Sequence, residues 1–365
     1  MTSYLAQIVA NAAISSLSFI GLAKNVGKTT ATNHLLETLL AENLYRANAL
    51  ALTSLGLDGE AVDALTGLPK PRYVPQAGLM IATTVELLQQ AENEGVQVER
   101  LLQLPGRTAL GPVVLARILK PGRVIIAGPT LLRDLRRALD KLQEFGSQLG
   151  IVDGAINRLG AASPKITDAC IVCTGASLGA TPELVARRTT DVLLRLTTQQ
   201  TRWKDAYKKH DSRARLLTFS LHDAGRTATI YSGSIEPTLE AKWIVTHLGK
   251  QENAVYILHG ALTEELARTL LAHLSTRSSS YPGELIVEDA TRIFCHSVVL
   301  KRLSERGLEV RVAHSMRILA LTINPYTPEY VCPSQRLLDT LIRELPPQYP
   351  PIIDVISGLS SSKAV

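Results

Sequence analysis

Residues 21–30 read GLAKNVGKTT, a glycine-containing loop that ends in Gly-Lys-Thr-Thr. Strand-forming residues precede the loop at 17–22, and leucines recur at helical spacing in the segment 31–40 that follows it. A loop between a strand and a helix is typical of phosphate-binding sites, because glycine lets backbone N–H groups approach phosphate and the helix N-terminus carries partial positive charge. The sequence therefore predicts an α/β fold with a site built around this loop.

The loop supplies the residue types that bind a nucleoside triphosphate with magnesium. We expect Lys28 to neutralise the β- and γ-phosphate charge and the Thr29 hydroxyl to bind Mg²⁺. A lysine on an exposed loop contributes little packing, so we expect Lys28 to be exposed and to neutralise phosphate charge without stabilising the fold. ATP and Mg²⁺ are the predicted cofactors. The predicted nucleotide-binding residues in the loop are Gly21, Lys24, Asn25, Gly27, Lys28, Thr29 and Thr30.

The spacing of this loop departs from the common pattern. Five residues separate Gly21 from Gly27, where the common phosphate-loop pattern has four. The five-residue spacing resembles the loops of dethiobiotin synthetase and the cobyrinic acid amidating synthetases. Related loops occur in dimeric ATPases that carry an extra signature lysine. That lysine would align with Ala23, whereas the basic residue here is Lys24, so the resemblance does not assign Lys24 a role across a subunit interface.

Further along the chain, apolar strand-like segments alternate with helical ones. This alternation predicts a doubly wound, mostly parallel sheet in an NTPase-type domain, with ligands beyond the carboxyl ends of its strands. The pattern restarts after a basic segment, which predicts a second, smaller α/β domain. The predicted divisions are a nucleotide-binding domain at 1–200, a linker or boundary at 201–250 and a C-terminal domain at 251–365. Predicted strands include 17–22, 47–55, 149–156 and 169–174, and predicted helices include 131–142 and 182–196.

Carboxylates at two strand ends are the candidate catalytic groups. Asp58 and Glu60 follow the second predicted strand, where a metal-linked or water-orienting carboxylate is expected, although Asp-Gly is also a common surface turn. Asp153 stands at the end of another strand and is a candidate for Mg²⁺ binding or a switch role. The predicted catalytic residues are therefore Lys28, Asp58 and Asp153, and the predicted metal ligands are Thr29, Asp58 and Glu60.

Four longer strings resemble the ATPase subunit of the reactivating factor for lysine 5,6-aminomutase, an adenosylcobalamin enzyme. They lie at 53–72, 152–177, 286–294 and 321–330, for example VDGAINRLGAASPKITDACIVCTGAS and LTINPYTPEY. The resemblance implies an ATPase that remodels a protein partner, such as an aminomutase or a second reactivase subunit.

A similar resemblance concerns the base of the nucleotide. In related ATPases an asparagine at an equivalent strand end hydrogen-bonds adenine, which implies a nucleotide-binding role for Asn157 and Arg158. Asparagine is also a common helix cap, so that alternative stays open.

Composition narrows the range of partners. The net charge of +6 favours an anionic partner such as a nucleotide. The basic, aromatic-containing segment 202–215 is better interpreted as a solvated helix or linker than as a nucleic-acid surface. No basic residue precedes the apolar N-terminal stretch and no apolar run approaches the roughly 20 residues of a membrane helix, so a cytoplasmic protein is expected. Cys170 and Cys173 lie three apart on a predicted strand, point to opposite faces and are expected to be buried thiols without a metal.

Three functional classes fit these observations. The first is an ATPase coupled to remodelling of a partner protein. The second is an ATP-dependent ligase or synthetase that acts on a small carboxylate, which the loop spacing permits. The third is a nucleotide-gated binding module with little turnover. Assembly into a homo-oligomer is compatible with all three.

Overall fold

The structure is a computed structural model of the 365-residue chain. It describes residues 3–56, 73–106, 108–154, 159–204, 207, 216–220, 254–275, 283–327 and 332–361. The chain divides into two compact units. The first unit comprises Met1–Thr189 and Arg317–Val365, and the second comprises Thr190–Met316.

The first unit contains a nine-stranded, mostly parallel sheet, which confirms the predicted α/β class. The strands are β1 Ser16–Gly21, β2 Leu50–Ser54, β3 Met80–Thr84, β4 Gln97–Gln103, β5 Val113–Lys120, β6 Leu149–Asp153, β7 Ala169–Gly175, β12 Ile318–Asn324 and β13 Ile352–Ile353. Their order in the sheet is β13-β12-β7-β1-β6-β2-β3-β5-β4, and only β5 runs antiparallel to its two neighbours.

Helices connect the strands of the first unit. They are α1 Tyr4–Ala10, α2 Lys28–Ala41, α3 Val85–Asn93, α4 Leu132–Glu144, α5 Pro182–Leu196, which begins in this unit, and a last helix, Ser334–Glu344, numbered α8 in chain order. Helix α4 shows why these segments are helical: Leu135, Ala138, Leu139 and Leu142 are all buried, at the three- and four-residue spacing of one helix face.

The central strands follow from runs of apolar residues. Every residue of β1, β6 and β7 is buried, as expected for parallel strands covered on both faces. The predicted strand at 17–22 and the predicted helix at 182–196 are confirmed within one residue. The predicted strand at 47–55 is shorter than expected, because a turn of 3₁₀ helix occupies Ala47–Ala49 before β2 begins.

The second unit contains a four-stranded sheet. Strands β9 Ala254–Leu258, β10 Gly283–Asp289 and β11 Leu308–His314 are parallel, and β8 Leu216–Ser220 pairs antiparallel to β9. The order of these strands is β11-β10-β9-β8. Helices α6 Glu264–Ser275 and α7 Ser297–Glu305 connect the parallel strands.

Part of the basic segment 202–215 packs into the core of the second unit. Tyr207 is buried against Val255 and Ile257 of β9, and Trp203 packs beside the same cluster. The guanidinium of Arg202 lies 4.9 Å from the centre of the Trp203 ring. The Tyr207 ring therefore fills the core and is not presented for stacking on nucleic-acid bases.

The division of the chain differs from the predicted one at its C-terminal end. The prediction placed all of 251–365 in one domain, but β12, α8 and β13 belong to the first unit. The reason is strand pairing: β12 pairs in parallel with β7 from Ile318 to Asn324 and extends the first sheet. The predicted linker at 201–250 falls largely outside the described residues.

Candidate nucleotide site at the β1–α2 loop

The loop between β1 and α2, residues 22–27, has the backbone expected of a phosphate cradle. Asn25 and Gly27 both have positive φ angles, 58° and 77°. Such angles suit glycine best and asparagine next, so the sequence supplies the residue types that this backbone requires. Gly27 is the N-cap of α2 and makes no side-chain capping bond. Gly27 has no side chain, so it does not cap the first N–H groups of the helix.

Contacts from β7 and the turn after it hold this loop in place. The backbone N–H of Leu22 donates to the carbonyl of Cys173 at 3.0 Å. The Ser177 hydroxyl donates to the carbonyl of Lys24 at 2.7 Å, whereas the Lys24 side chain is exposed. The loop conformation is thus set by contacts with β7 and Ser177 as well as by the backbone angles of Asn25 and Gly27.

Lys28, the first residue of α2, forms a buried ion pair with Asp153. The distance from Lys28 Nζ to Asp153 Oδ1 is 3.0 Å, and the two side chains are 8% and 3% exposed. The parallel pairing of β1 with β6 sets Asp153 beside Phe19 and therefore close to the loop. The expectation of an exposed Lys28 was wrong, because the side chain folds inward to this carboxylate. Lys28 consequently contributes to the stability of the fold through this ion pair, in addition to its expected role in neutralising phosphate charge.

Two hydroxyl groups also reach Asp153. Thr29 Oγ1 donates to Asp153 Oδ2 at 3.3 Å, and the phenol of Tyr73 donates to the same oxygen. Thr30 lies next to Thr29 in the first turn of α2 and is partly buried. Lys28, Thr29 and Asp153, three residues selected from the sequence, are therefore brought together. Tyr73 was missed, because nothing local in its sequence connects it with a carboxylate 80 residues away.

Asn324, at the end of β12, is a second residue that sequence reasoning missed. Its Nδ2 donates to the carbonyl of Asn25 at 2.7 Å, and its Oδ1 accepts from the backbone N–H of Tyr326. A Cβ atom placed on Gly27 would lie 3.1 Å from Asn324 Cβ, and one on Gly175 would lie 2.2 Å from the Asn324 carbonyl oxygen. The close approach at Gly175 requires glycine. Asn324 therefore supports the loop from β12.

Four of the predicted site residues lie outside the described residues. They are Asp58, Glu60, Asn157 and Arg158. Their assigned roles stay predictions.

The donor set fits magnesium and a triphosphate. Carboxylate and hydroxyl oxygens, as at Asp153 and Thr29, are hard ligands of the kind that Mg²⁺ takes, and Mg²⁺ commonly binds one or two carboxylates together with substrate phosphates. Within the described residues, no three His, Cys, Asp or Glu side chains form a group that could hold a metal ion.

No protein-family model, curated protein or solved structure matches this chain.

Cys170 and Cys173 are buried, as predicted. Both lie on β7 and carry free thiols. Burial raises the pKa of each thiol to about 12, so both are protonated at neutral pH. The pKa of Cys173 also responds to Lys28 and Asp153, which places its sulfur within electrostatic reach of that pair.

The helices that the structure describes include none that is both long and apolar enough to span a lipid bilayer.

Proposed function

We propose that the chain binds Mg²⁺·ATP at the β1–α2 loop and hydrolyses the nucleotide. The observation that carries the proposal is the convergence of Lys28 and Thr29 on the buried carboxylate of Asp153. A lysine and a hydroxyl at the start of a helix, with an acidic residue at the end of the adjacent parallel strand, are the parts that phosphoryl-transfer sites use.

Each residue has a distinct role in this proposal. Bound Mg²⁺·ATP supplies the phosphoryl group and a cation that screens its charge. Lys28 binds phosphate oxygens and neutralises charge as it develops there. Thr29 offers its hydroxyl oxygen to the metal, and Asp153, which accepts a hydrogen bond from that hydroxyl, would offer a carboxylate oxygen to the same metal. Gly27 and Asn25 keep the loop backbone in the shape that presents N–H groups to phosphate.

The resemblance to the aminomutase reactivating factor extends the proposal to a partner. Hydrolysis would then drive remodelling of a cobalamin-dependent aminomutase, with the second unit carrying the partner surface. This extension is supported by the four strings in the sequence, which include residues of the site such as Asp153 and Asn324.

The test measures nucleotide binding and turnover separately in wild type, Lys28→Met and a matched control, Lys141→Met. Lys141 is an exposed lysine on α4 whose charge is unrelated to the loop. We expect Lys28→Met to lower the turnover rate by about a hundredfold or more, the scale of one lost electrostatic catalyst, while Lys141→Met leaves it unchanged. Circular dichroism at the assay temperature verifies that each variant is folded.

Two results would separate the parts of the proposal. Wild-type turnover in a folded Lys28→Met variant would contradict the phosphate-site assignment. A hydrolysis rate that stays constant when a cobalamin-dependent aminomutase is added would remove the partner role and leave the ATPase proposal standing.

A further inference from the structure

The carboxylate of Asp153 is engaged by donors from its own chain. Lys28 Nζ lies 3.0 Å from Oδ1, and Oδ2 accepts from Thr29 Oγ1 and from the phenol of Tyr73. Each carboxylate oxygen has about two acceptor positions, so the two hydroxyl donors occupy those of Oδ2. Lys28 and Thr29 begin helix α2, beside the loop that binds phosphate in the proposed function. Tyr73 approaches from a different part of the chain and duplicates the hydroxyl that Thr29 already provides.

The position of Tyr73 is fixed by its main chain as well as by Asp153. Its carbonyl accepts from the backbone N–H of Val124 at 3.0 Å, and the two residues form an antiparallel bridge. Tyr73 is only 6% exposed. The backbone of Tyr73 is therefore anchored by a contact that would persist if the hydroxyl released the carboxylate.

A small cavity lies beside the Tyr73 ring. Its volume is about 80 Å³, and a single water molecule needs roughly 10–15 Å³ of such space. Leu36 and Leu40 of α2 form part of its apolar wall, and Asn33 and Glu37 of the same helix bring polar groups to it. The cavity thus offers room beside Tyr73, and its lining includes polar side chains.

We propose that Tyr73 tunes the metal affinity of the site: its hydroxyl competes with the cation for Asp153 Oδ2 and withdraws toward the cavity when the cation binds. The inference rests on the proposed function, because it assumes that Asp153 serves a magnesium ion. It predicts that loss of the Tyr73 hydroxyl increases the affinity of the site for the metal. Removing a native hydrogen bond at the site strengthens metal binding, whereas loss of a simple support for Asp153 would weaken it.

The experiment titrates the full chain with Mn²⁺ in the presence of a non-hydrolysable ATP analogue and follows free Mn²⁺ by electron paramagnetic resonance. Tyr73→Phe removes only the hydroxyl. A hydrogen bond to a charged group is worth about tenfold or more in an equilibrium constant, so the dissociation constant for Mn²⁺ should fall about tenfold. Affinity for the analogue in EDTA should stay within about twofold, since that measurement involves no metal. The matched control is Tyr45→Phe, because Tyr45 lies beyond the C-terminal end of α2. Its dissociation constant for Mn²⁺ should equal that of wild type.

A second variant tests the cavity without touching the hydroxyl. Leu40→Phe places a larger side chain in the wall of the cavity, leaves less room for the withdrawn phenol and should weaken Mn²⁺ binding. Unchanged or weaker Mn²⁺ binding in Tyr73→Phe would overturn the inference, and if that variant does not fold, unchanged binding in Leu40→Phe would do so. A wild-type chain that binds no nucleotide analogue would instead refute the proposed function itself.

Discussion

The buried ion pair between Lys28 and Asp153 leads to a quantitative prediction for a double-mutant cycle. The charged atoms are 3.0 Å apart and both side chains are almost fully buried. With an effective dielectric constant of about 20, two unit charges at this distance attract each other by about 5 kcal/mol. Removing either partner leaves the other charge buried without its counter-ion. We therefore expect Asp153→Asn and Lys28→Met each to lower the free energy of unfolding by about 3–5 kcal/mol.

The double variant should be much less destabilised than the sum of the two single variants, because it contains neither buried charge. The coupling energy in the cycle should be about 3 kcal/mol or more. Urea unfolding followed by far-ultraviolet circular dichroism supplies the four free energies. The matched control is the exposed pair of Lys141 and Glu144, whose charged atoms lie 2.6 Å apart on α4. Its cycle should give no more than about 0.5 kcal/mol, since solvent screens exposed pairs.

The comparison of the two coupling energies tests whether Lys28 and Asp153 form their ion pair in solution. If the buried pair couples no more strongly than the exposed pair, Lys28 does not contact Asp153 in solution. The site could not then be built around that carboxylate.

Two further predictions concern other contacts of the first unit. Asn324→Asp replaces the amide that donates to the Asn25 carbonyl with a carboxylate that repels this carbonyl. The dissociation constant for an ATP analogue, measured by calorimetry, should therefore rise about tenfold. The control variant Asn48→Asp, at an exposed position, should leave this constant unchanged. Burial alone would raise the pKa of Asp168, but hydrogen bonds from Ser15 and Ser16 hold it below its ordinary value of 3.8. The ionised carboxylate of Asp168 therefore stabilises the fold at pH values above 3.8. As the pH falls below 3.8, the difference in stability between wild type and Asp168→Asn should shrink. A difference in urea midpoint that does not change with pH would contradict this prediction.

The sequence predicted those parts of the fold that depend on local pattern. Strands β1, β6 and β7 lie in short, largely apolar segments, and such segments indicate buried parallel strands. Strand β4, QVERLLQ, was not identified because it lies at the sheet edge, is largely exposed and has a charged, helix-compatible composition. The pairing of β12 with β7 could not be predicted either. ILALTIN and LEVRVA are both plausible strands, and only tertiary packing determines which sheet each one joins.

The residues of the candidate site also fall into two groups: those that local sequence predicts and those that only tertiary contacts bring to the site. Lys28, Thr29 and Asp153 were found because a glycine loop and a strand-terminal acid are signals within short segments of sequence. Tyr73 contacts Asp153 from 80 positions away in the sequence, and Asn324 contacts the loop residue Asn25 from 299 positions away. Tyrosine and asparagine also occur in many surface loops, so their residue types carried no signal without the tertiary contacts.

The return of the chain to the first sheet has a consequence for the order of folding during synthesis. Strand β7 ends at Gly175, but its partner β12 starts only at Ile318, after the whole second unit. At ordinary elongation rates the ribosome needs on the order of ten seconds to make the intervening chain. Throughout that time one edge of β7 lacks its native partner, and the β1–α2 loop lacks Asn324. A nascent or prematurely terminated chain thus exposes an apolar strand edge beside an unfinished nucleotide site, which makes it a natural target for chaperones and proteases.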